Sequence, residues 1–214
     1  MDEGWPGHYV VAMDKPKLYY FDAPASRGEE CRLALHLAGV DFEDVRIKPA
    51  DWPALLPKTP FGAMPFLELP GKPALGQSNA ILTYLGRLYG LHPKDEFEAA
   101  RHEAMMQHVE DLRQQITPTL RLPEADRKKR REELSAGYIP AWAANAEKQF
   151  GDGPFFGGAK LSVVDLKILL IVRWLSSGRL DHVPATILAG YPKLNRAHDA
   201  ARDHAGVKAW YART

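Results

Sequence analysis

The chain of 214 residues holds a single cysteine, Cys31. An intrachain disulfide is therefore impossible, and a secreted, disulfide-stapled scaffold has no support. Long apolar runs are also missing. The densest, Ile168–Val172, sits between Lys167 and Arg173 and is far too short to span a bilayer. Neither sign of charge is in excess: a formal net charge of +1 gives no general reason to expect nucleic acid or an anionic membrane. The basic run at 127–131 is followed at once by Glu132 and Glu133 and reads as a solvated helix end. The eight histidines show neither H-x-x-x-H nor H-E-x-x-H spacing, so no metal site is expected. Internal repeats and low-complexity tracts are absent as well.

What is present is the make-up of an ordinary globule, 45% hydrophobic and 26% charged, long enough for one large core or two small ones. A reducing, cytoplasmic setting is expected. Residues 1–16 have no signal-peptide core and read as a mobile arm. From there the chain divides near residue 92. Lys17–Phe21 reads as an aromatic strand ended by Asp22 and Pro24, and 28–38 as a helix stopping at Gly39. Phe42–Ile47, Phe66–Leu69 and a brief segment after Pro-Gly-Lys-Pro read as three more strands. Ser78 is expected to cap a helix whose stripe is Ile81, Leu82, Leu85, Leu88 and Tyr89, closed by Gly90. Beyond Asp95 no strand pattern occurs. Helices are predicted over 96–121 and 124–149, and shorter ones over 185–190 and 193–205. Ser162-Val-Val-Asp165 is a capping box opening a helix that is apolar nearly all round, hence central and buried.

The most informative stretch is 52–79, WPALLPKTPFGAMPFLELPGKPALGQSN. It joins an isolated Trp52, a Met64-Pro65 dipeptide opening an apolar strand, and Gln77-Ser78 at a helix start. An X-Pro bond adopts cis at a cost of only about 0.5–1 kcal/mol, which suits a bend before a strand. The free N–H groups of a helix's first turn favour an anion. Together these features suit gripping the backbone of a small anionic peptide. Preceded by K-L-Y-Y-F and R-G-E, they resemble the glutathione-binding half of a glutathione transferase of the tyrosine-type, sigma-like kind. The resemblance covers roughly residues 17–205. It implies an α/β thioredoxin-like domain over 17–92 that binds glutathione, and an all-α domain over 96–214 for the acceptor substrate and dimer contact.

Residue by residue, the resemblance implies that Tyr20 stabilises the glutathione thiolate, with Arg27 supporting it by charge and Tyr19 on the opposite face. Ser26 is the alternative, because theta- and zeta-like transferases carry a serine there, and the loop from Tyr20 to Arg27 is one residue longer than usual. Met64, before a cis Pro65, would pair with the cysteinyl backbone of glutathione. Gln77 and Ser78 would hold its γ-glutamyl carboxylate, and Trp52 its glycyl carboxylate. Leu56 stands where a lysine is common, leaving Lys58 as the substitute. Asp111, with Glu110 second, would reach the neighbour's glutathione across a twofold homodimer, where Phe61 is a candidate packing residue. The acceptor, a small apolar electrophile, would lie between the domains against Met106, Arg113 and Ile116. Glutathione is the co-substrate and no metal is required. Cys31 reads as packed rather than reactive. Trp210 and Tyr211 either cap the acceptor pocket or pack the tail. Two competing readings are a non-catalytic module of the same fold and a glutathione-dependent isomerase or peroxidase.

Overall fold

Aromatic side chains at Tyr19, Tyr20 and Phe21 favour extended backbone, and Lys17–Phe21 forms strand β1. The computed structural model describes residues 15–213, so the expected arm lies almost wholly outside the described residues. Helix α1 spans Ser26–Leu37, starting earlier than the apolar spacing suggests, and Gly39 follows it with φ +67°. Strand β2 (Glu43–Ile47) leads into a Pro-rich connection holding the one-turn helix α2 (Trp52–Leu55). Strands β3 (Phe66–Glu68) and β4 (Leu75–Gly76) precede helix α3 (Ser78–Tyr89), which Gly90 stops in the left-handed conformation, φ +73°.

The four strands form one mixed sheet in the order β2-β1-β3-β4, with β1 parallel to β2 and the other pairs antiparallel. This is the thioredoxin-like plan, βαβ followed by ββα. Two details of α3 differ from expectation. Ser78 is the first helical residue rather than the cap; Gln77 holds the cap position, without a side-chain capping bond. Leu88 and Tyr89 are exposed while Ile81, Leu82 and Leu85 are buried, so the stripe is narrower than predicted.

The rest is helical: α4 (Glu96–Ile116), α5 (Glu124–Glu133), α6 (Ile139–Glu147), α7 (Val163–Leu175), α8 (Pro192–Asp203) and α9 (Ala205–Tyr211). Prolines account for two departures from the predicted spans. Pro118 turns the end of the first long helix into a 3-10 segment, Thr117–Arg121. The second is broken by a π turn, Leu134–Tyr138, just ahead of Pro140, which has no N–H to continue the α ladder. The helix expected over 185–190 is a series of tight turns, with i→i+3 bonds from Ile187 to Pro184 and Ala189 to Thr186.

Helix α7 is the central element. Every residue from Val163 to Val172 is buried, and it packs against α1, α3, α4 and α8. Its capping box forms: the Asp165 carboxylate accepts the Ser162 backbone N–H at 2.8 Å and its hydroxyl at 2.9 Å. The C-terminal helix packs down on α1, where Trp210 Nε1 donates to Glu29 Oε1 at 2.8 Å and His36 meets the Gly206 carbonyl at 3.0 Å.

Candidate functional site

Strand register gathers the candidate residues at one end of the sheet. Tyr19 pairs with Phe66, and Phe66 with Gly76. One residue further along each antiparallel strand therefore comes Tyr20, Pro65 and Gln77; two further come Phe21, Met64 and Ser78. The Met64-Pro65 bond is cis. On the parallel side Phe21 pairs with Ile47 at the end of β2, and the connection that follows carries Trp52, whose ring lies 6.0 Å from that of Phe21 in an edge contact. Lys58 is exposed at the end of the same connection. The first turn of α1, with Ser26 and Arg27, closes over this end.

Backbone geometry marks the same place. Among the described residues three non-glycines have positive φ, and two of them, Ser26 (+60°) and Gln77 (+68°), stand at these helix starts. Such conformations cost roughly 1–3 kcal/mol and persist where the surroundings impose them. Both α1 and α3 thereby present uncapped N-termini to the sheet end, where free N–H groups attract an anion.

The two tyrosines separate as the pleat requires. Tyr19 stacks on Phe66 with ring centroids 4.3 Å apart and donates to Glu68 at 2.9 Å. Burial and the Glu68 carboxylate push its phenol up to about 12. Tyr20 lies on the first turn of α1, against Gly28, with the Arg32 guanidinium 5.8 Å from its ring centre. Burial raises its phenol above the usual range, opposed by a hydrogen bond with Ser26 and by the charges of Arg27 and Arg113. A phenol so placed stays protonated at neutral pH and is a hydrogen-bond donor. Arg32, itself buried, pins the loop that follows by donating to the carbonyls of Phe21 (3.1 Å) and Ala23 (2.8 Å) and to Asp44 (2.8 Å).

Arg27 does not stand alone. Its Nε donates to Glu110 Oε2 at 2.7 Å, while Glu110 Oε1 accepts from Lys167 Nζ at 2.6 Å and Arg113 Nη1 at 2.8 Å. Glu30 closes the cluster, accepting from Lys167 at 3.0 Å and from Arg113. Burial works against the Glu110 carboxylate, but Lys167, Arg113 and Arg27 hold it down at about 2. This buried cluster escaped sequence reasoning. Its one local signal was Lys167, a lone charge inside the apolar run of α7.

The acceptor-pocket expectation fails on burial. Met106 and Ile116 are fully enclosed in the core, and Arg113 is spent on Glu30 and Glu110. These positions face inward because α4 is covered by α6 and α7 along that side. A cavity of about 470 Å³ beside the end of α4 has a mixed lining, with Pro118 and Leu122 among charged and polar groups such as Asp126, Lys129, Arg130 and Glu133. Asp111 is exposed and receives a bond from Gln107 at 3.3 Å, whereas Glu110 is committed to the cluster. Phe61 is 68% exposed. Cys31 is buried, and burial drives its thiol up, so it is packed and not reactive. Glu124, Asp181 and His182 are the one grouping of metal-ligand type among the described residues. Arg127 already pairs with both of its carboxylates.

Comparison with known proteins agrees with this geometry. Residues 20–94 match the family model of the glutathione S-transferase N-terminal domain, and residues 110–214 that of its C-terminal domain. Glutathione S-transferase 1 of Ascaris suum is 34% identical, over 94% of this chain and 97% of that one. The crystal structure of the glutathione S-transferase from Ascaris lumbricoides superposes with a TM-score of 0.80 at 33% identity, covering 93% of this chain and 97% of its own. A structure of prostaglandin synthase D of Nilaparvata lugens does so at 0.82 and 29% identity, covering 93% and 98%.

Proposed function

The chain belongs to the glutathione S-transferase family, and on that premise we propose that Tyr20 ionises the thiol of glutathione for attack on a small apolar electrophile. The protein is a glutathione transferase. A free thiol has a pKa of about 8.5, so little thiolate exists at neutral pH. A neutral phenol donating to the sulfur stabilises the anion as it forms; a fall of about two units corresponds to about 2.7 kcal/mol. The observation that carries this reading is the convergence of Tyr20, the first turn of α1, the cis Met64-Pro65 bond and Gln77-Ser78 at one sheet end.

In this reading the cysteinyl backbone pairs with Met64 as an added strand rung. The γ-glutamyl carboxylate sits at the α3 N-terminus by Gln77 and Ser78, and the glycyl carboxylate meets Trp52 and Lys58. Arg27 supports the thiolate by charge. Ser26, in the first turn of α1 on which Tyr20 rests, is the alternative donor. Asp111, on the exposed side of α4, reaches a second copy in a homodimer with Phe61 at the contact. The domain division falls between α3 and α4, the setting is cytoplasmic, and conjugation serves detoxification; no metal takes part.

Titrating the thiol of bound glutathione tests the assignment. Tyr20→Phe raises its pKa toward the free value and Ser26→Ala changes it less. The reverse order transfers the role to Ser26. A second reading, glutathione-dependent isomerisation, draws on the similarity to prostaglandin synthase D of Nilaparvata lugens. Panels of electrophiles and of isomerisable substrates separate the two.

A further inference from the structure

Lys167 lies in the middle of α7, fully buried, inside a run of leucines, isoleucines and valines. A lysine there is costly, and an apolar residue of similar length would suit its neighbours better. Charge balance does not explain it. Arg113 already bridges Glu30 and Glu110, and Arg27 pairs with Glu110. Those four groups are two cations and two carboxylates, connected and neutral. Lys167 is the fifth member, 3.0 Å from Glu30 and 2.6 Å from Glu110, and gives the cluster a surplus positive charge.

Resting on the thiol-activation reading above, we infer that Lys167 is a positioning residue for catalysis, acting through Glu110 so that Arg27 presents an unanswered positive charge to the sulfur beside Tyr20. The side chains of Lys167, Glu30 and Arg113 are 0–2% exposed and that of Glu110 is 12% exposed, whereas Arg27 is 29% exposed. The surplus therefore emerges at Arg27, the one member open toward the site. Tyr20 senses the cluster in the required sense, since Arg27 and Arg113 favour its anion and Glu30 opposes it. Other charged groups nearby are already engaged or neutral. On α1, Glu29 is held by Arg32 and Trp210, and the Cys31 thiol stays neutral. On α4, Asp111 faces outward; on α3, Arg87 pairs with Glu103; on α8, His198 pairs with Asp199.

Opposite substitutions test the charge. Lys167→Met leaves the cluster neutral and Glu30→Gln makes it more positive, yet both delete bonds from the same network. The thiol of bound glutathione, followed by thiolate absorbance, is expected to titrate about one pH unit higher in Lys167→Met and lower in Glu30→Gln. The pH profile of kcat/KM moves with it, a loss for Lys167→Met of about threefold at pH 7 that approaches about tenfold in more acidic solution, and Lys167→Arg stays near wild type. Shifts in the same direction for both variants, or no shift in either, overturn the inference while leaving thiol activation standing. A wild-type thiol that titrates as it does in water removes both. If Lys167→Met does not fold, Glu30→Gln decides alone, because structural damage gives no reason for a more acidic thiol.

Discussion

The ring of Tyr20 rests directly on Gly28: a Cβ at Gly28 would come within 2.0 Å of Tyr20 Cδ1 and 2.6 Å of its Cβ. In a helix alanine is normally favoured over glycine by about 1 kcal/mol. Here the clash reaches the root of the tyrosine side chain, so it cannot be relieved by moving the ring's far end. Gly28→Ala is expected to displace the phenol and lower kcat/KM at least about tenfold, approaching Tyr20→Phe, at a stability cost of about 1–3 kcal/mol. Steady-state kinetics and the bound-thiol titration check it. Full activity in this variant would move the phenol out of the mechanism.

Asp165 anchors the start of the buried helix. It accepts from the backbone N–H groups of Phe156 and Ser162, both at 2.8 Å, and from the Ser162 hydroxyl. Asp165→Ala leaves two buried N–H groups without a partner, at about 1–3 kcal/mol each. Ser162→Ala keeps both of those bonds and should cost about 1 kcal/mol. Urea unfolding of the two variants measures the difference, and equal losses would contradict it.

Acid should weaken the fold through His102. Burial, and then the neighbouring His92, hold its imidazole down at about 4, against an ordinary 6.5. Above pH 6.5 the ring is neutral folded and unfolded, so it contributes no pH dependence. Between 6.5 and about 4 the unfolded chain takes up a proton that the folded one refuses, and stability falls by up to about 3 kcal/mol. His102→Gln is expected to flatten this decline in unfolding midpoints measured across that window. An unchanged slope would assign the acid sensitivity elsewhere.

The proposed role of Lys58 at the glycyl carboxylate is open to a direct test, since its side chain is exposed at the end of the connection after β2. Lys58→Met is expected to weaken glutathione binding by roughly 1.5–3 kcal/mol, the worth of one charged hydrogen bond. The bound thiol's pKa should stay where it is, because the glycyl end is remote from the sulfur. Calorimetry reads the affinity; an unaltered Kd would leave Trp52 as the sole anchor there.

Much of the architecture was legible along the chain, because strand and helix periods and their punctuation are local. Gly39 and Gly90 ended their helices, the capping box at Ser162 opened α7, and the Met64-Pro65 and Gln77-Ser78 dipeptides stood where backbone geometry is unusual. The order of short strands was enough to bring Tyr20, Pro65 and Gln77 together, since antiparallel register carries neighbours across the sheet. Two departures from the predicted helices lie at prolines: Pro118 falls in the 3-10 segment that ends α4, and Pro140 just beyond the π turn that separates α5 from α6.

Tertiary structure alone decided which charges meet and which apolar faces are covered. Periodicity says which side of a helix a residue is on, not what lies opposite. Met106 and Ile116 are both fully buried, so that side of α4 packs into the core instead of lining a cleft. Arg27 finds Glu110 at a separation of 83 residues, and Glu30 finds Lys167 at 137. Such ion pairs depend on how α1, α4 and α7 cross, and crossing is set by the side chains of all three at once.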